Sequence, residues 1–324
     1  MHRRKFLKTV AVTGIGAFAG LQVTGKGIAE APEDIKIIPK RPYGKTDREL
    51  SIIGLGGVVV MNMEQSDVNN LVHEAIDRGI NYVDVAPTYG NAEALLGPAL
   101  KGYRDKIFLA CKTQHRKKEA AAAELRKSLE RLETDHFDLY QFHAISKMED
   151  VETIFGEGGA IEAFEEAKKQ GLIRYIGFSA HSAKAALAAM DRFNFDSILF
   201  PINFALYYKE NFGPQVVEKA EEKGVARLAL KAMAKHSWPK DAADRKEFPN
   251  CWYQPVSDPK MANMALRFTL SQAITAAVPS GDPKLFRMAM DIASQFTPIT
   301  GEEEEELKKI AQSQDQGSIF KLDV

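Results

Sequence analysis

Beyond residue 40 the chain alternates two patterns. Short runs of consecutive apolar residues, rich in β-branched and aromatic side chains, fall at 52–59, 82–85, 107–111, 137–142, 173–178, 198–200, 225–230 and 274–278. Unbroken apolar character is what a parallel strand covered on both faces requires. Between these runs the apolar positions recur at helical spacing. Val68, Leu71, Val72, Ala75 and Ile76 share one face behind Ser66, and Gly79 stops that helix. Leu125, Leu129 and Leu132 mark another helix, and Ile161 and Phe164 a further one ended by Gly171. Ser182, Asp258 and Asp282 read as N-caps, the last two followed by proline in the first helical turn.

Eight strand–helix units predict an α/β chain folded as a closed (β/α)8 TIM barrel, a single domain over 32–324. An open doubly wound sheet would place a glycine fingerprint at the start of its first helix. Gly54, Gly56 and Gly57 stand about ten residues ahead of that helix and do not supply one. A small hairpin is expected within 32–50. The stretch 231–257 reads as a long loop of the kind that shapes a substrate pocket.

The first 31 residues break the pattern. Arg3, Arg4 and Lys5 precede a weakly apolar run from Val10 to Val23, which leads into small residues. Basic, apolar and small-residue segments in that order describe a cleavable export signal. The Arg3–Arg4 pair followed by Phe6, Leu7 and Lys8 resembles the twin-arginine version, which carries proteins already folded, so a periplasmic or otherwise exported location and a twin-arginine translocation partner are expected. Gly14, Gly16 and Gly20 make the run a poor membrane span.

A net charge of -1 gives no electrostatic reason to expect nucleic acid or an anionic membrane as partner of the mature domain. The two cysteines, Cys111 and Cys251, form no CxxC pair, and Cys111 is expected as a buried thiol.

In such a barrel, chemistry belongs at the C-terminal ends of the strands. Those ends read Asp84, Lys112, His143, Ser179, Asn203, Lys231 and Ser280, with Tyr89 just after the second strand. Asp84, Lys112 and His143 close neighbouring strands and can converge. A phenol ordinarily keeps its proton to pH ~10, and an adjacent ammonium is expected to lower that value. Lys112 would play that part, fixed by Asp84, while His143 orients a substrate oxygen. Such a set protonates a carbonyl oxygen as hydride reaches its carbon, and it needs no metal.

The residues Asn81-Tyr82-Val83-Asp84-Val85-Ala86-Pro87-Thr88-Tyr89-Gly90 closely resemble the aldo-keto reductase motif that carries the catalytic aspartate and tyrosine. Lys112 in Leu109-Ala110-Cys111-Lys112-Thr113 resembles the family's lysine, and His143 after Asp138-Leu139-Tyr140-Gln141-Phe142 its histidine. Ile173-Arg174-Tyr175-Ile176-Gly177-Phe178-Ser179 is similar to the fifth strand, whose serine holds the nicotinamide carboxamide. The resemblance implies catalytic Asp84, Tyr89, Lys112 and His143, a small carbonyl substrate, and NADP as cofactor, with NAD open. It further implies cofactor contacts from Ser179, Asn203, Lys231, Ser280, Gly281, Lys284 and Arg287.

The chain also departs from the family. Ala180 and His181 follow Ser179 where asparagine is usual, Asn203 stands near a usual glutamine, and Leu230 occupies the position of an aromatic that stacks on the nicotinamide. Arg287 is one residue out of the phosphate-reading register, and Asp282 opposes a 2′-phosphate. The pattern is that of a divergent bacterial branch. Met61, Met63, Trp238, Phe248, Trp252 and Tyr253 are candidates for an apolar pocket wall. An alternative reading is a nicotinamide-binding barrel that senses or binds with negligible turnover. A metal-dependent barrel hydrolase lacks a paired-histidine strand.

Overall fold

The computed structural model describes residues 36–313 and 318–320. The export segment read at 1–31 lies outside the described residues. A hairpin of β1 (Lys40–Pro42) and β2 (Glu49–Ser51) leads into β3 (Leu55–Gly56), β4 (Tyr82–Asp84), β5 (Phe108–Thr113), β6 (Phe137–Ile145), β7 (Ile173–Ala180), β8 (Ser197–Pro201) and β9 (Ala226–Leu230). A second hairpin follows, β10 (Ala234–Ser237) with β11 (Tyr253–Pro255), and then β12 (Ala276–Val278). Strands β3 to β9 and β12 form one parallel eight-stranded sheet in chain order. Closure comes from Ile53 bridging Ala277, where the Gly54 amide donates to the Ala277 carbonyl and the Ala277 amide to that of Ile52, each at 2.9 Å. The barrel is therefore complete, as the periodicity implies.

Outside it run α1 (Gln65–Asp77), α2 (Ala92–Ala99), α3 (Lys118–Arg131), α4 (Met148–Phe155), α5 (Ala160–Lys169), α6 (Ala183–Arg192), α7 (Phe204–Glu210) and α8 (Pro214–Lys223). The chain ends with α9 (Pro259–Ser271), α10 (Pro283–Ser294) and α11 (Gly301–Ser313). Side chains of Ser182, Asp258 and Asp282 cap α6, α9 and α10 as expected, each accepting from backbone amides of the first turn. Ser66 does not cap α1. That helix begins one residue earlier, behind Glu64, with no side-chain cap. The run 52–59 is also not one strand: after Gly56 the backbone turns into a short 3-10 helix at Gly57–Val60. Val59 and Val60 are buried all the same, so an apolar run dictates burial here but not extension.

Two cores result. One lies between the strands and the helices. The other fills the barrel and includes Tyr43 and Leu50 from the first hairpin with Tyr82, Phe108, Leu139, Leu199 and Leu228. Tyr43 packs on Phe108 at 4.8 Å and on Tyr175 at 5.3 Å between ring centroids, both near the starts of their strands. The hairpin thus plugs the N-terminal end of the barrel, leaving the opposite end for chemistry. Both cysteines are buried free thiols.

Replacing Asp258 by alanine removes the α9 cap without touching the barrel interior. We expect a loss of about 1 kcal/mol in denaturant unfolding at unchanged m-value.

Candidate active site

Alternation along the strands sets the contents of the barrel. On β4, Tyr82 and Asp84 point the same way; so do Phe108, Ala110 and Lys112 on β5, and Leu139, Gln141 and His143 on β6. The lower positions are apolar and belong to the inner core. The upper ones, Asp84, Lys112, Gln141 and His143, are polar or charged. Lys112 is fully buried and Asp84 nearly so, and the ammonium donates to Asp84 Oδ1. Lys112 Nζ also lies 3.3 Å from the Val85 carbonyl and 3.4 Å from the Tyr89 hydroxyl. The other carboxylate oxygen of Asp84 accepts from Gln141 Nε2 at 3.0 Å and from the Tyr82 hydroxyl at 3.2 Å.

Tyr89 meets His143 edge to face, ring centroids 5.7 Å apart. Thr88 Oγ1 lies 3.5 Å from His143 Nδ1. The imidazole sits where the β6–β7 register shifts, between Phe142 and Ile145. Such an irregularity re-aims a side chain at the rim of a barrel. The turn is braced by Arg116, which donates to the carbonyls of His143 at 2.8 Å and Ala144 at 3.2 Å, and by Ser179 Oγ, which accepts the Ala144 amide at 2.8 Å.

Burial works against the Lys112 ammonium, but Asp84 prevails and holds it charged, above its ordinary range. Burial pushes the Tyr89 phenol up; Lys112 pulls it back only in part, so the net direction is upward. This corrects the expected lowering: in a dry pocket the loss of hydration outweighs the nearby cation. Burial, then Lys112, Lys231 and Arg116, depress His143 from 6.5 to about 3, so the imidazole is neutral at physiological pH.

All four residues line one cavity of about 380 Å³ at the C-terminal end of the barrel. Ser179, Lys231 and Gly281 line it too, with Leu230 and, from the candidate wall, Met61, Trp252 and Tyr253. Other expected contacts lie elsewhere. Asn203 caps α7 through the Leu206 amide and donates to the Lys231 carbonyl at 3.3 Å. Ser280 is buried between the Tyr253 hydroxyl and the Met233 carbonyl. Lys284 is exposed on the first turn of α10; Arg287 is also exposed and is tied to Glu74 at 2.8 Å. Asp282 spends its carboxylate on the Lys284 and Leu285 amides.

Several contributors went unread in the sequence. Gln141 and Tyr82 lie two residues from His143 and Asp84 on the same faces, so strand alternation could have found them. Asn250 reaches the cavity through long-range folding and carried no local signal, and Phe320 comes from the far end of the chain to pack against His181 and Trp252 behind it.

The sign of the His143 shift gives a test. The unfolded imidazole binds a proton below pH 6.5 and the folded one only near 3. Stability is therefore retained above 6.5 and falls as the pH drops below it, by up to about 2 kcal/mol at pH 5. A His143→Gln variant should lose that part of the acid sensitivity in unfolding curves taken from pH 7 to 5.

Residues 52–319 match the model of the Aldo/keto reductase family. The uncharacterized oxidoreductase YqkF of Bacillus subtilis is 28% identical over 312 residues, 87% of this chain and 98% of that protein. The structure of aldo-keto reductase AKR11C1 from Bacillus halodurans, in its holo form, superposes with TM-score 0.67 at 25% identity, covering 86% of this chain and 97% of that one. A Pseudomonas aeruginosa chain titled as an aldo-keto reductase shares the fold, with TM-score 0.63 at 23% identity over 81% and 97% of the two chains. With its closed barrel and its Asp84, Tyr89, Lys112 and His143 at one rim, the chain belongs to the aldo-keto reductase family.

Proposed function

We propose that the protein reduces an aldehyde or ketone with NADPH or NADH, Tyr89 delivering the proton. The observation that carries this is the Tyr89 hydroxyl 3.4 Å from a buried, charge-balanced Lys112 in a cavity that also presents a neutral His143.

The residues present fit a nicotinamide. Ser179 accepts from the Ala144 amide, which leaves its hydroxyl hydrogen to donate to a carboxamide oxygen. Leu230, Leu199 and Val278 offer the ring an apolar face. Ser280 and Gly281 sit where β12 leads into α10, and Lys284 and Arg287 on that helix are the cations available to a 2′-phosphate. Asn203 acts at one remove, by holding the backbone of Lys231. When bound, the reduced nicotinamide supplies the hydride.

The chain's own residues do the rest. A neutral His143 orients the substrate oxygen by a hydrogen bond. Tyr89, kept protonated by burial, gives that oxygen its proton as negative charge builds there. Lys112 stabilises the phenolate left behind, and Asp84 keeps Lys112 in place and limits its net charge. Gln141 and Tyr82 anchor Asp84. The basic, apolar and small-residue order of 1–31 supports export through the twin-arginine route, which would carry the protein folded, with its cofactor aboard.

Tyr89→Phe should lower kcat for carbonyl reduction by about 10²–10⁴-fold while nucleotide binding by fluorescence titration persists. Unchanged turnover would remove Tyr89 as proton donor. Persistent binding with negligible turnover in the parent enzyme would favour a sensing barrel. In the parent enzyme, reduction should decline only above pH ~10, because the phenol must hold its proton. Arg287→Ala should weaken NADPH but not NADH binding if its guanidinium leaves Glu74 for the 2′-phosphate, and equal effects on both would assign it to the α1–α10 contact alone.

A further inference from the structure

Lys231 has no part in the proton transfer, yet it lines the same cavity as Tyr89, Lys112 and His143. Its backbone is left-handed, with φ +62°, a conformation a lysine adopts only when its surroundings impose it. Here the Lys231 carbonyl accepts from Asn203 Nδ2 at 3.3 Å and from the Ala234 amide at 3.0 Å, which fixes the turn. The side chain is thereby held in the cavity between two aromatic faces, its Nζ 5.2 Å from the Trp252 ring centroid and 5.0 Å from that of Phe320.

Among the described residues Lys231 has no carboxylate partner, and its strongest charged neighbour is another cation, Lys112. Burial and that neighbour draw the ammonium down to about 7. Among the described residues the single carboxylate lining the cavity, Asp84, is spent on Lys112, Gln141 and Tyr82. His181, stacked on Phe320 at 4.6 Å, adds no negative charge. The described lining thus has a surplus of positive charge remote from the proton donor, and this surplus is desolvated and positioned. An anionic group is the partner such a cation lacks.

We propose that the pocket takes carbonyl compounds carrying a carboxylate, with Lys231 as its counter-ion and Trp252 packing the carbon skeleton between carboxylate and carbonyl, Phe320 backing the lysine from outside the cavity. This rests on the reductase reading above and names its substrate class. Lys231 then sets specificity, and Asn203 positions it.

The test compares 4-carboxybenzaldehyde with benzaldehyde, a pair differing in the anionic group, as substrates of the parent enzyme and of Lys231→Met. The parent should show a KM at least about tenfold lower for the carboxylate, and the variant should erase that preference through KM, with NADPH affinity by fluorescence retained. Lys231→Arg, which keeps the charge, should restore part of the preference even if Lys231→Met folds poorly. Equal KM values in the parent would overturn the proposal. So would a variant that loses NADPH affinity while keeping the preference, since the lysine would then serve the cofactor's phosphates. If the parent reduces neither aldehyde nor any other carbonyl, the reductase reading falls, and this inference with it.

Discussion

The buried ion pair of Lys112 with Asp84 is the constraint around which the upper half of the barrel is arranged. An ammonium and a carboxylate taken out of water cost more than their attraction returns unless their remaining hydrogen-bonding capacity is met. Here the carboxylate also accepts from Gln141 and Tyr82, and the ammonium also faces the Val85 carbonyl and the Tyr89 hydroxyl. Residues of β4, β5, β6 and the loop after β4 are thereby committed to one another. Removing either charge would strand the other, a loss of about 3–5 kcal/mol. The same commitment fixes the phenol beside a cation, so the stability of the site and the proposed proton transfer share one cause.

The mouth of the cavity is built differently. Asn250 donates to the carbonyls of Val58 at 3.2 Å and Met61 at 3.3 Å, joining the 231–257 segment to the turn after β3. The β10–β11 hairpin gives that segment an internal frame where the sequence reads as plain loop. Ser237 Oγ donates to the Ser318 carbonyl at 2.7 Å, which seats Phe320 against His181, Phe212 and Trp252. The floor is made of strand residues with satisfied charges, and the rim of aromatic and loop residues from distant parts of the chain. In the proposed reduction, reaction type belongs to the floor and substrate choice to the rim.

How far the site could be read follows from this division. Asp84, Lys112, His143 and Ser179 end apolar runs whose strand character is local, so each announces itself as a polar residue at a strand end. Gln141 was hidden because it falls inside an apolar run, where only the inward-facing period of two distinguishes it. Lys231 was legible as a strand end, but its left-handed backbone and its place between Trp252 and Phe320 were not. Asn203 resembled a ligand contact by its position and became a helix cap, because the Leu206 amide needs an acceptor wherever α7 starts.

The sequence by itself determined the barrel, its eight parallel strands, the caps of α6, α9 and α10, and the strand ends at which Asp84, Tyr89, Lys112 and His143 meet. Each depends on periodicity or on a neighbour a few positions away. Tertiary structure alone decided that the run after Gly56 turns, that the Tyr89 phenol rises rather than falls, and that Lys231 faces the cavity with no carboxylate partner among the described residues. Those outcomes depend on desolvation and on groups brought together from opposite ends of the chain, which no local pattern encodes.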